Sequence, residues 1–154
     1  MKSIADLLTE HQFFAGLPAA SIALISGCGT NVHFETGATV FNEGDPADTF
    51  YVVRRGSVAI EIGAPHREPV VIETVSAGEV LGVSWLMPPY RWSFDGRARG
   101  EVSAVQLDAA CLRGKCDDDP ALGYDLYKRF AGLMRDRLHA TQLQLLDVYG
   151  SHVG

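Results

Sequence analysis

The chain has 154 residues, with 13 Lys and Arg against 19 Asp and Glu, a formal charge of -6 and a sequence pI near 5.2. That length suits one domain with room for a hydrophobic core, and the acidic balance excludes a chain whose main business is the phosphate backbone, which demands a basic face. No apolar run reaches the roughly eighteen residues of a spanning helix, and Asp6 and Glu10 interrupt the apolar core that a secretory leader needs.

Ser3-Ile4-Ala5-Asp6-Leu7-Leu8 reads as a short helix with Ser3 as N-cap and Asp6 in the first turn, where a carboxylate meets the positive end of the helix dipole. Residues 11–18 break it. A second helix is predicted over 19–26, with Leu17, Ile22 and Ile25 on its apolar face and Gly27 and Gly29 as its stop. From residue 31 the pattern turns to short strands separated by glycines: 31–35, 39–41, 50–54, 57–62, 69–75, 91–99 and 101–107. Such spacing predicts a sandwich or jelly roll. Phe50-Tyr51-Val52-Val53 is a continuous apolar block and reads as a buried strand, whereas Val58, Ile60 and Ile62 alternate with small or polar residues, the mark of a half-buried one. His33 reads as a strand residue satisfied locally, and His66 as a solvated residue at the tip of a hairpin over 63–68.

The densest stretch is 37–56, where Gly37, Val40, Phe41, Gly44, Asp45, Ala47, Asp48, Phe50, Tyr51, Val53 and Gly56 order two strand signals and two glycine turns. This set resembles the first signature of the cyclic-nucleotide-binding domain family, the sensor half of the catabolite activator proteins and of cyclic-nucleotide-dependent kinases and channels. The resemblance implies a mainly β fold with flanking helices: a double-stranded β-helix, or jelly roll, with N-terminal helices and a C-terminal helix pair. One domain over 1–154 is expected, as a helical lead-in (1–29), a β-roll (30–108) and C-terminal dimerisation helices (109–150). Phe13-Phe14-Ala15-Gly16-Leu17-Pro18 is similar to the family's helical lead-in.

By the same resemblance 76–90 is the phosphate-binding cassette, with 82–86 as a single helical turn that Pro88-Pro89 cannot continue. A cyclic nucleotide presents a phosphate, a ribose hydroxyl and a base, so its site needs a cation or helix N-terminus, a carboxylate and an apolar cover. Family members supply Gly-Glu-x-small-Leu, then an Arg followed by Ser or Thr and Ala. Here Val83 stands where the Glu belongs and Trp85 where the small residue belongs. Counting back from Arg97-Ala98 puts the phosphate arginine on Trp92, with Arg91 one place early, and in a strand one place is the opposite face. The candidate ligand-binding residues Gly82, Val83, Ser84, Trp85, Leu86, Arg91, Trp92 and Ser93 therefore predict an intact scaffold with an altered pocket. Either Trp85, Trp92 and nearby apolar side chains fill it, or it takes a different, less polar ligand. No cofactor is expected.

Asp108 is predicted to cap a short turn through Cys111 and Leu112, and Asp117-Asp118-Asp119-Pro120 to open the last helix by capping rather than by holding a cation. Leu126, Phe130, Leu133, Met134, Leu138, Leu145 and Val148 recur at three and four, with a break expected near Gly132 or His139. The resemblance makes the final helix a dimer seam, so a parallel homodimer is expected through about 135–149, with Leu138, Thr141, Leu145 and Val148 in contact.

Cys28, Cys111 and Cys116 are odd in number and lack C-x-x-C spacing, so reduced thiols are expected, with no disulfide framework and no zinc. Ser84, Cys111 and His139 show no nucleophile–base spacing, and the lone His33 cannot supply the His-x-His of a metal cupin, so neither catalysis nor a metal is expected. A transcription factor of this family would continue into a helix-turn-helix, whereas this sequence stops at residue 154, so no direct DNA binding is expected. The reading is a stand-alone cytoplasmic sensor or regulatory module, homodimeric and acting through an unknown protein partner. The alternatives are a non-ligand-binding subunit that docks on an enzyme or regulator, and a genuine cAMP-binding signalling protein.

Overall fold

The computed structural model describes residues 2–150. Residues 151–154, on which the expectation of no DNA-reading segment rested, lie outside the described residues. The chain divides into two units, Met1–Lys115 and Cys116–Gly154.

In the first unit, α1 (Ile4–Glu10) starts on a capping box: Ser3 Oγ accepts from the Asp6 amide at 3.1 Å and Asp6 Oδ2 accepts from the Ser3 amide at 3.0 Å. Donation from the Ser3 amide, helped by the Ser3 hydroxyl, holds the Asp6 carboxyl below its ordinary pKa. A 3-10 turn (Gln12–Phe14) follows, capped by His11 Nδ1, and α2 (Ala19–Ser26) buries Ile22 and Ile25.

The strands are β1 (Gly29–Phe34), β2 (Thr39–Phe41), β3 (Thr49–Arg55), β4 (Ser57–Ala64), β5 (Arg67–Ser76), β6 (Val80–Leu81), β7 (Asp95–Ala98) and β8 (Val102–Asp108). They form two antiparallel four-stranded sheets, ordered β1-β8-β3-β6 and β2-β7-β4-β5. Tyr51 and Val53 of β3 share one core cluster with Val58 and Ile60 of β4, Phe41, Leu81, Trp92 and Ala104, which makes the interior of the roll. Phe50 and Val52 on the other face of β3 are buried too, which is why that strand reads as an unbroken apolar block. Gly56 turns β3 into β4 at φ +80°, and a Cβ there would strike the Glu101 carbonyl oxygen, so the position admits only glycine.

Several boundaries differ from expectation. The expected strand 91–99 shrinks to β7, because Arg91 makes only an isolated bridge to Pro46. The two-residue β6 is too short to carry a period, and the expected turn after Asp108 is a ten-residue helix, α3 (Ala109–Asp118), with Asp108 Oδ1 accepting from the Cys111 amide at 2.9 Å. The expected helical turn at 82–86 is a tight turn closed by the Leu86 amide on the Val83 carbonyl at 3.1 Å.

The reduced-thiol expectation is overturned. Cys28 and Cys111 form a disulfide with Cα atoms 5.8 Å apart across a sequence separation of 83, and Cys116 is the free, buried cysteine. Their contact arises because the fold lays the start of α3 beside the end of α2, a proximity that sequence spacing does not encode.

The second unit carries α4 (Pro120–Gly150), a 31-residue helix with no break at Gly132 or His139. Its strong helix formers outvote one glycine, which costs only about 1 kcal/mol. Asp119 Oδ1 caps the Leu122 amide at 3.3 Å, and Asp125 pairs with Arg129 at 2.9 Å, one turn on. Among the described residues no helix is long and apolar enough to cross a membrane, and no cluster of His, Cys, Asp or Glu is arranged to hold a metal ion.

Candidate functional site

The cassette leaves β6 through Gly82, whose φ is +111°. A Cβ on Gly82 would meet Trp92 Cη2 at 2.7 Å, so the indole takes the space that the missing side chain leaves. Trp92 is 7% exposed, belongs to the interior core cluster and stacks on Phe41 with centroids 3.7 Å apart and planes 8° apart. Trp85 is 1% exposed and stacks on Phe50 at 4.7 Å. Phe50 and Tyr51 are neighbours on β3 and point to opposite faces. The two indoles thus make separate stacks, Trp85 on Phe50 and Trp92 on Phe41, and Trp92 belongs to the interior cluster that holds Tyr51. Val83 and Ser84 are half-buried, and Leu86 is buried.

Backbone bonds staple the second half of the cassette to the signature turn: Gly44 donates to the Trp92 carbonyl at 2.8 Å, Trp92 to the Asp45 carbonyl at 3.0 Å and Ala47 to the Tyr90 carbonyl at 2.7 Å. Arg91, exposed, spends its Nη1 on the Gly44 carbonyl at 2.8 Å, and Ser93 is exposed. Arg97 is held by Glu61, Nε to Oε1 at 3.0 Å, and Glu61 alternates with the inward Val58 and Ile60 along β4. The structure thus gathers Gly82 and Trp92 at the interior and directs Arg91 to the β2–β3 loop.

One residue that sequence reasoning missed is Arg113 on α3. Its Nη1 donates to the Trp85 carbonyl at 2.8 Å and its guanidinium lies 4.7 Å from the Tyr90 ring centroid. No local pattern announces it, because its partners are 23 and 28 positions away.

Away from the cassette, a cavity of about 360 Å³ is lined by Lys2, Glu10, His11, Gln12, Arg54 and Gly78, among others. Burial pushes the His11 imidazole below its ordinary pKa, with the backbone of Val53 and Glu79 pulling weakly the other way. On α4, Leu138 (60%), Leu145 (53%) and Val148 (55%) are exposed on one stripe, together with Thr141, whose hydroxyl donates to the Arg137 carbonyl at 2.9 Å.

The cyclic nucleotide-binding domain family matches residues 31–119, which spans β1 to the end of α3. A CRP-like cAMP-activated global transcriptional regulator of Mycobacterium tuberculosis is 27% identical over 143 residues, covering 93% of this chain and 62% of that protein. This chain thus spans less than two thirds of that relative's length. Glutaminase 1 of Bradyrhizobium diazoefficiens is 26% identical over 131 residues, a match covering 85% of this chain and 21% of the enzyme. The crystal structure of a Geobacter metallireducens protein assigned to cyclic-nucleotide binding superposes with a TM-score of 0.79 and 29% identity, covering 90% of this chain and all of that one. With a roll, a cassette turn and a signature loop in the family's order, this chain belongs to the cyclic nucleotide-binding domain family.

Proposed function

We propose that this chain is a regulatory domain whose cassette has lost useful affinity for cyclic AMP and cyclic GMP, and that it acts as a homodimer on a protein partner. The observation that carries this reading is the Trp92–Phe41 stack in the roll interior, where the phosphate arginine was expected. Val83 offers no carboxylate to a ribose hydroxyl, and Arg91 is engaged by the Gly44 carbonyl. A lost charged acceptor and a filled phosphate volume each cost about 1–3 kcal/mol, which together weaken binding by orders of magnitude. Regulation rather than catalysis is supported by the regulator of M. tuberculosis, whereas the glutaminase match covers only a fifth of that enzyme.

Isothermal titration calorimetry of the full chain with cyclic AMP and cyclic GMP up to millimolar concentration tests the reading. The expected result is no binding in the micromolar range; micromolar affinity for either nucleotide would overturn it in favour of a cAMP-binding signalling protein. The exposed α4 stripe favours one further reading, an interaction subunit with no ligand at all. A stoichiometric partner recovered by the full chain, with no nucleotide shifting its melting temperature, supports it.

A further inference from the structure

We propose that the Cys28–Cys111 disulfide is a reversible redox site that sets the mobility of the cassette through α3. Cys28 lies between α2 and β1, its carbonyl accepting from the Asp108 amide at 2.9 Å, and Cys111 lies in the first turn of α3. Lys115 Nζ adds a bond to the Leu24 carbonyl at 2.6 Å, at the negative end of α2. The disulfide therefore ties α3 to the α2–β1 link, where the Asp108–Cys28 backbone bond lies just before the helix, and Lys115 ties α3 to α2 itself.

The same helix reaches the cassette. Arg113, two residues from Cys111, grips the Trp85 carbonyl and covers the Tyr90 ring. A closed disulfide fixes the helix that aims Arg113; an open one leaves the Asp108–Cys28 backbone bond just before the helix and Lys115 one turn on, and an exposed hydrogen bond such as that of Lys115 contributes little. The coupling runs through contiguous contacts on one short helix and is independent of whether the cassette takes a ligand.

The chemistry balances with a dithiol reductant. Its thiolate attacks Sγ of Cys111, which is half-buried, rather than Cys28, which is 6% exposed. A mixed disulfide forms at Cys111, the Sγ–Sγ bond breaks and Cys28 leaves as a thiolate that takes a proton. The second reductant thiolate then displaces Cys111, so the dithiol is oxidised to a disulfide as the cystine gains two electrons. Cys116 does not supply an internal attacker: it is buried, and burial with Asp117 and Asp119 pushes its thiol pKa up.

The test combines alkylation under denaturing conditions with hydrogen exchange on the full chain, before and after treatment with dithiothreitol. One alkylated cysteine is expected in the oxidised protein and three in the reduced. Reduction is expected to speed exchange about tenfold at the Leu86 and Tyr90 amides, which close the cassette turns, with β4 and β5 unchanged. Cys111→Ser should reproduce the reduced pattern. Arg113→Met should speed cassette exchange and abolish its response to reduction. Three alkylated cysteines in the air-oxidised protein, a disulfide between two chains, or cassette amides indifferent to reduction would each overturn the proposal. Should Cys111→Ser fail to fold, the wild-type comparison still decides it.

Discussion

Trp92 stands where the family resemblance puts an arginine, and it packs as a core residue. An arginine at that place would need an anion to compensate its charge, whereas an indole stacked on Phe41 completes the core without one. Trp92→Ala is expected to lower unfolding free energy by about 3–5 kcal/mol in urea denaturation, through lost burial plus the cavity left behind. On the proposed function, opening this space should not restore cyclic AMP binding, because Val83 supplies no carboxylate. Gly82→Ala is expected to destabilise by about 1–3 kcal/mol, since the new methyl meets the indole at 2.7 Å and the backbone stays at φ +111°. His11 gives a pH dependence. Its folded-state pKa lies below the unfolded value, so between the two the unfolded chain binds more protons and stability rises with pH. Stability is therefore expected to fall as pH drops from about 6.5 through the folded pKa. Chemical denaturation at several pH values should show that slope in wild type and lose it in His11→Asn, which keeps an acceptor for the Phe13 amide at the cap.

At the scale of elements, what was legible followed from local chemistry. Ser3 with Asp6 announced α1, the glycines at 37, 44 and 56 announced the signature turns, and the apolar block at 50–53 announced a strand buried on both faces. What stayed hidden depended on distant partners: the Cys28–Cys111 contact, the grip of Arg113 on the cassette, and the separate stacks of Trp85 on Phe50 and Trp92 on Phe41. Neighbouring side chains on one strand do reveal opposite faces, but only once it is known which residues pack on each. The break expected in α4 followed from an apolar stripe too wide for one helix face; the helix runs unbroken instead and leaves Leu138, Leu143, Leu145, Leu146 and Val148 exposed. Nothing lies within 4 Å of a Cβ built at Gly132. Gly132→Ala is therefore expected to stabilise the protein by about 0.5–1 kcal/mol in thermal or urea unfolding, and a destabilisation would mark a packed or kinked position there.

For the molecule as a whole, the last turns of α4 leave an apolar stripe exposed. Leu138, Thr141, Leu145 and Val148 follow spacings of three, four and three, the seam of a two-stranded coiled coil, and all four are exposed in a single chain. The proposed homodimer would bury this stripe against the same stripe of a second copy, each residue meeting its partner's across a two-fold axis. Sedimentation equilibrium at micromolar concentration is expected to give a dimer, and Leu138→Asp with Leu145→Asp a folded monomer, since buried like charges would face each other across the seam. Thr141 supplies the sharper test. Its hydroxyl is already satisfied by the Arg137 carbonyl, so it contributes little to a seam beyond its methyl group. Thr141→Leu is expected to tighten the dimer about tenfold, or about 1.4 kcal/mol. An unchanged dissociation constant would place Thr141 outside the interface and move the seam to the face of Leu143 and Leu146.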